Sequence, residues 1–218
     1  MLKMGRTKQK KIVEIRNFPN VFDKTQDSIA ELLKTYFNNG NAISIEVGCG
    51  EGDYTVQLAE RFSNRNFVGI DIKASRIFTG AKKVLDAGMA NAAFISMRVE
   101  TIAEVFNDLK VDEIYIPFPD PHVRRKSAPR RLVSPEFLEK YKLILSEKGK
   151  VHFKTDNEGL FEYALDILGR TKASVYKINR NVGISNELTI AEQVTTRYER
   201  HYRNEGRIIR YICFGFER

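Results

Sequence analysis

Apolar residues along this chain fall into two alternating rhythms. Short apolar runs bounded by turn residues read as strands at Ile43–Val47, 67–71, 92–97, 111–118 and 150–155. Between them the spacing becomes helical and predicts helices over 53–62, 74–87, 100–109, 135–145 and 158–170. An earlier helical pattern starts at residue 23. There Ile29, Leu32, Leu33, Tyr36 and Phe37 share one face, and Asn39-Gly40 ends it. Two further strand-like runs, 174–179 and 207–216, close the chain, with a polar stretch ending in 196–202 between them. Strands alternating with helices predict an α/β fold: a mainly parallel sheet with helices on both faces. Such sheets bind ligands outside the carboxyl ends of their strands. Residues 1–22 show little period and read as a basic arm ahead of a single domain, 23–218.

Length and composition narrow this only a little. The 218 residues suit one domain, and 42% hydrophobic residues suffice for a core. No apolar run approaches the roughly 20 residues that span a bilayer, which excludes a membrane protein of that kind. No apolar segment follows the basic start, so the expected location is cytoplasmic. Cys49, Cys213 and three scattered His form neither a disulfide framework nor a metal-ligand spacing, so no metal is expected.

Charge changes the picture more. The net charge is +8, and it is concentrated. Residues 1–11 carry Lys3, Arg6, Lys8, Lys10 and Lys11 with no acid. Residues 122–131 carry Arg124, Arg125, Lys126, Arg130 and Arg131, again with no acid. Clustered cations favour a polyanionic partner, and nucleic acid in particular.

The candidate chemistry lies at strand ends. The first long strand runs into Glu46-Val47-Gly48-Cys49-Gly50-Glu51-Gly52, whose glycines permit a tight turn and close approach of backbone to a ligand. This spacing alone also fits a dinucleotide loop. Glu46 and Glu51 argue against that, because carboxylates there repel a pyrophosphate but suit a cationic amino-acid group. Asp71 ends the next strand, where it can accept from ribose hydroxyls of either cofactor type. Together these favour S-adenosylmethionine. Cys49, between two glycines, reads as a small apolar residue rather than a nucleophile.

The run Ile116-Pro117-Phe118-Pro119-Asp120-Pro121-His122 follows the 111–118 strand. Three prolines fix a loop at the sheet edge, enclose one carboxylate and lead into five cations. Those cations suit phosphates or the N7 and O6 acceptors of guanine.

At this point the chain resembles the bacterial tRNA (guanine-N7-)-methyltransferases. The resemblance runs over 43–216. It rests on the glycine loop, Val68-Gly69-Ile70-Asp71, the Pro-Asp-Pro loop, Arg130-Arg131-Leu132, His152-Phe153-Lys154-Thr155-Asp156 and Thr196-Arg197-Tyr198-Glu199. It implies a Rossmann-like class I methyltransferase fold and methylation of guanine N7 in the variable loop of tRNA. It also implies residue roles. Glu46, Gly48, Gly50, Asp71 and Asp120 hold the cofactor, and Arg98 stands where the family usually has the Asp or Asn that meets the adenine. Asp120 is the active-site carboxylate. Arg124, in place of the usual Lys, meets the RNA, and Asp156, Thr196, Arg197, Tyr198 and Glu199 meet the guanine or its nucleotide. The family loop usually reads Asp-Pro-Trp-Pro-Lys-Lys; here it reads Asp120-Pro121-His122-Val123-Arg124-Arg125. Two other readings stay open: a methyltransferase of the same fold acting on another base or a protein, and a non-catalytic tRNA binder. Monomer and homodimer both remain open.

Overall fold

The computed structural model describes residues 3–26 and 28–217, with side chains from residue 8 onward. The chain divides into two compact units, residues 1–109 and 110–218.

The first unit contains α1 (Lys3–Ile15), β1 (Val21–Asp23), α2 (Ile29–Phe37), β2 (Ile43–Val47), α3 (Asp53–Arg61), β3 (Asn66–Asp71), α4 (Ala74–Asp86), β4 (Ala92–Ser96) and α5 (Ile102–Phe106). A 3₁₀ turn, Val99–Thr101, precedes α5. Its strands run in the order β1-β4-β3-β2, every pair parallel. β2 and β3 are buried along their whole length, as parallel strands covered on both faces are, and this is why their sequences are continuous apolar runs.

The basic segment expected to be an arm is helical over Lys3–Ile15. Its Ile15 is buried, and the Lys11 ammonium sits 5.3 Å above the ring of Phe78 on α4. Phe18 stacks on the same ring at 5.4 Å. Lysine and glutamine are good helix formers, but Val13 is exposed while Ile15 is buried, so no apolar stripe announces the helix. Met1 and Leu2, and the side chains of Lys3 and Arg6, lie outside what the structure describes.

Phe94 on β4 sets the spacing of this unit. Its ring is fully buried against three glycines from three different elements. A Cβ on Gly52 would come within 2.5 Å of the ring, one on Gly69 within 2.7 Å and one on Gly80 within 2.9 Å. Gly69 on β3 would also press on the Thr55 hydroxyl at 2.9 Å. Gly69→Ala is therefore expected to cost about 1–3 kcal/mol of unfolding free energy, the usual penalty of overpacking. Adding Phe94→Leu should recover part of it. Urea melts of the single and double variants check this, and strict additivity would show that the ring is not the obstacle.

The second unit contains β5 (Val111–Pro117), α6 (Pro135–Ile144), β6 (Leu145–Thr155), α7 (Glu158–Arg170), β7 (Ala173–Asn179), α8 (Ile190–Gln193), α9 (Arg197–Asn204) and β8 (Arg210–Phe216). Its strand order is β5-β6-β8-β7. β5 and β6 are parallel, whereas β8 runs antiparallel to both β6 and β7. β6 starts at Leu145 rather than at 150, because Leu145 already pairs with Val111 before the register shifts toward Glu113. Helix α9 occupies what reads in the sequence as a polar stretch.

Candidate active site

In the first unit, two carboxylates stand at the carboxyl ends of β2 and β3. Gly48, Gly50 and Gly52 carry the chain between β2 and α3 with φ of 72°, 57° and 77°, a left-handed region that side chains disfavour. Asp71 ties this loop down: its Oδ2 accepts from the Gly50 N–H at 3.0 Å and its Oδ1 from the Lys73 N–H at 2.8 Å. Cys49 N–H donates to the Ile70 carbonyl at 2.9 Å, which extends the strand register into the loop.

Glu46 is buried, and its Oε2 accepts from both the backbone N–H and the hydroxyl of Thr55, at 2.8 and 2.7 Å. Burial outweighs these hydrogen bonds and pushes its carboxyl up to about 8, with nearby Asp53 adding to the rise. The folded protein therefore holds this proton more tightly than the unfolded chain between pH 4.5 and about 8. Stability from this group is present at low pH and falls as pH rises through that window, by at most about 1.4 kcal/mol per pH unit. Glu46→Gln keeps an acceptor for Thr55 and removes the titration. The melting-temperature difference, wild type minus Gln variant, should decline from pH 5 to about 8 and then level off; a flat difference would contradict a protonated Glu46. Cys49 is buried, and burial together with Glu46 and Asp71 pushes its thiol well above the ordinary range, so it is no nucleophile.

Arg98 leads into the 3₁₀ turn before α5, is exposed, and pairs with Glu100 at 2.8 Å.

In the second unit, β5 ends in the proline loop. Phe118 and His122 bracket Asp120 with φ of 50° and 41°, left-handed positions occupied by non-glycine residues. Several bonds hold this shape. Phe118 N–H donates to the Lys154 carbonyl at 2.8 Å. His122 N–H donates to Asp120 Oδ1 at 2.9 Å, an Asx-type turn. Arg131 donates from Nε to the Pro121 carbonyl at 3.0 Å and from Nη2 to that of His122 at 3.2 Å. Its guanidinium also lies 4.3 Å from the Tyr163 ring centroid. Arg131 thus faces the loop backbone, a departure from the sequence reading, which grouped it with the phosphate-binding cations. Arg124, Arg125, Lys126 and Arg130 remain exposed around the 3₁₀ helix Arg125–Arg130. The Asp120 side chain is 73% exposed.

The last two helices begin alike. Thr189-Ile190-Ala191-Glu192 forms a full capping box: Thr189 accepts from Glu192 N–H, and the Glu192 carboxylate accepts from Thr189 N–H at 2.8 Å. Thr196-Arg197-Tyr198-Glu199 has the same spacing, and Thr196 caps α9 by accepting from Glu199 N–H at 2.9 Å. The Glu199 carboxylate goes elsewhere. It is 0% exposed, pairs with Lys154 at 2.7 Å and with Arg203 at 2.7 Å, and accepts from Arg203 Nε at 2.9 Å. Lys154, also buried, donates to the carbonyls of Glu192 and Val194 at 2.9 and 3.0 Å. Thr196 and Glu199 are thereby internal supports of α9, while Arg197 and Tyr198 face outward, Tyr198 at 49% exposure.

Asp156 follows β6 and pairs with Arg207 at 2.9 Å. Arg207 lies 4.5 Å from the Tyr202 ring centroid. Tyr202 neighbours Phe118 at 5.8 Å and Tyr198 at 6.5 Å. The second unit therefore brings Phe118, Asp156, Tyr198 and Tyr202 into one aromatic and acidic neighbourhood. Sequence reasoning does not single out Tyr202 or Arg207, and it takes Arg131 only as one of a basic cluster and of the Arg-Arg-Leu run. For Tyr202 a signal exists, its i+4 spacing from Tyr198 on a capped helix; for Arg131 the Arg-Arg-Leu run marks the residue but not its inward-facing role.

A family model described as "Putative methyltransferase" matches residues 40–211. The chain is similar to the tRNA (guanine-N(7)-)-methyltransferase of Christiangramia forsetii, with 36% identity over 96% of this chain and 98% of that protein. It is similar also to the enzyme of that name in Porphyromonas gingivalis, with 37% identity over 83% of this chain and 73% of that one. Among solved structures, the 16S rRNA methyltransferase KamB aligns over 91% of this chain and 99% of its own with a TM-score of 0.68 at 13% identity. A 16S rRNA (adenine(1408)-N(1))-methyltransferase solved with its cosubstrate SAM aligns over 88% and 93% with a TM-score of 0.59 at 12% identity. These two likenesses establish the class I methyltransferase fold.

Proposed function

This chain belongs to the tRNA (guanine-N7-)-methyltransferase family, and from that premise we propose that residues of its first unit hold S-adenosylmethionine and residues of its second hold a guanine in the tRNA variable loop, whose N7 receives the methyl group. The observation that carries the cofactor assignment is the pair of buried carboxylates, Glu46 and Asp71, behind a loop of left-handed glycines. This donor set fits a ligand that brings an ammonium group and ribose hydroxyls. A pyrophosphate in the same place would meet two negative charges.

When bound, S-adenosylmethionine supplies a methyl group made electrophilic by its sulfonium. Glu46 would hold the ammonium and would lose its proton in doing so, so that uptake of the cofactor near pH 7 should release a proton. Asp71 accepts from the ribose, and Gly48 and Gly50 let the backbone come close. Arg98 presents its planar guanidinium to the adenine.

Guanine N7 carries a lone pair and no hydrogen, so its methylation needs no general base. Positive charge builds up on the base instead, and Asp120, held in its turn, favours that charge. Asp156 accepts from the N1–H and the N2 amino group, donors that adenine lacks on that edge. Thr196 and Glu199 hold α9, which presents Arg197 and Tyr198 to the nucleotide. Arg124 and its neighbouring cations meet phosphates, giving salt-dependent affinity.

Transfer of labelled methyl from S-adenosylmethionine to unmodified tRNA, followed by nucleoside analysis, tests this reading. The expected product is 7-methylguanosine. Another methylated nucleoside overturns the base assignment, and no transfer overturns the catalytic reading.

A further inference from the structure

Arg207 occupies Asp156 in a chemically suggestive way. Its Nη1 donates to Asp156 Oδ2 at 2.9 Å, its Nη2 meets Glu205 at 2.7 Å, and its planar guanidinium lies 4.5 Å from the Tyr202 ring centroid. The pyrimidine half of guanine, N1–C2(N2)–N3, is itself a guanidine. It presents N–H donors along one edge of a flat π-system, as Arg207 does. A carboxylate that accepts in the plane and a tyrosine face that stacks above it suit both groups equally. We propose that Arg207 is a placeholder for the target guanine, filling the Asp156–Tyr202 slot until the base displaces it. This rests on the assignment of Asp156 to the base.

Displacement is feasible in this setting. The Arg207 side chain is 48% exposed, and it lines an open cleft of about 270 Å³ together with Asn181, Gly183, Arg203 and Ile208. The guanidinium can withdraw along that cleft without disturbing the core. The Arg207 head is half-exposed, and its pairs with Asp156 and Glu205 and its cation–π contact are each of modest strength, so the plug yields to a base that stacks and hydrogen-bonds in its place. What the arrangement adds is selection. A base without two adjacent donors cannot replace the ones it removes, and it leaves the carboxylate partly unmatched. Adenine lacks the paired N1–H and 2-amino donors: its N1 is an acceptor that faces the carboxylate, and only its N6 amino group can donate. The waiting slot is also never a bare carboxylate beside an aromatic face, open to any cation.

Arg207→Ala empties the slot. Its KM for tRNA is expected to fall about three- to ten-fold, the scale of weak contacts removed from the slot. Guanosine monophosphate, followed by saturation-transfer NMR, should bind the variant at concentrations where the parent shows no signal, and adenosine monophosphate should bind neither. The gain should vanish in Arg207→Ala/Asp156→Asn. Arg207→Met, which keeps the aliphatic stem over Tyr202, repeats the test should the alanine variant melt early. A raised KM with a shallower salt dependence would show that Arg207 contacts phosphate and overturn the proposal, as would guanosine monophosphate binding equal in variant and parent. The nucleotide titrations need no catalysis. If the parent enzyme makes no 7-methylguanosine, the methylation assignment fails by that result alone, while the binding comparison still decides for or against the placeholder.

Discussion

Asp120→Ala should slow methyl transfer about a hundred- to a thousand-fold, the usual loss when one group aimed at developing charge is removed. The melting temperature should barely change. The side chain is largely exposed, and it accepts a local hydrogen bond from His122 N–H. The loop keeps Pro119, Pro121, the two bonds from Arg131 and the Phe118–Lys154 bond. Asp120→Asn separates charge from geometry, since its amide oxygen can still accept from His122. If charge is what matters, Asn is nearly as slow as Ala. Single-turnover rates at saturating tRNA, with melts alongside, make the comparison; an asparagine variant near the parent rate would assign Asp120 to loop shape alone.

The second large effect is on stability. Lys154→Met is expected to cost about 3–5 kcal/mol, because it leaves the buried Glu199 without one of its two cations and strips two carbonyls of a donor. Burial lowers the affinity of Lys154 for its proton, and Glu199 opposes this through charge and hydrogen bond, so Glu199 sustains the ionised form of Lys154. Urea denaturation of Lys154→Met, Glu199→Gln and the double variant measures the coupling. The double variant should lose clearly less than the sum of the singles. A loss below about 1 kcal/mol for Lys154→Met would place the pair among surface-like interactions.

These two residues also show where sequence reasoning stops. The alternating elements from β2 to α7 could be read directly, because each buries a regular apolar stripe or run: Ile43 to Val47 on β2, Ile77, Ala81 and Val84 on α4. The glycine loop and the proline loop could be read because their backbone demands are written in residue type. Helix α9 could not be read from hydropathy, since its buried position is a glutamate. Only the partner, Lys154, far away in the chain, makes that burial tolerable. The Thr-x-x-Glu spacing does announce both α8 and α9 as capped helices, and this reading was missed at 189–192 and at 196–199. Strand β1 is too short, at three residues, for alternation to show. Arg131 and Arg207 look like any other cation in the sequence. What distinguishes them is the carbonyls of Pro121 and His122 for one and the Asp156 carboxylate for the other.

Lys154 joins two segments through different atoms of one residue. Its main-chain carbonyl receives the Phe118 amide beside Asp120, and its ammonium receives Glu199 from α9. Opening either segment strains the anchor of the other. In amide hydrogen exchange, the Phe118 N–H and the N–H groups of the first turns of α9 should therefore report a common opening, with similar protection and a shared response to denaturant. The proline loop with Asp120 and helix α9 then behave as one foldon, clamped or released together, and a ligand resting on α9 is expected to slow exchange at the Phe118 amide as well.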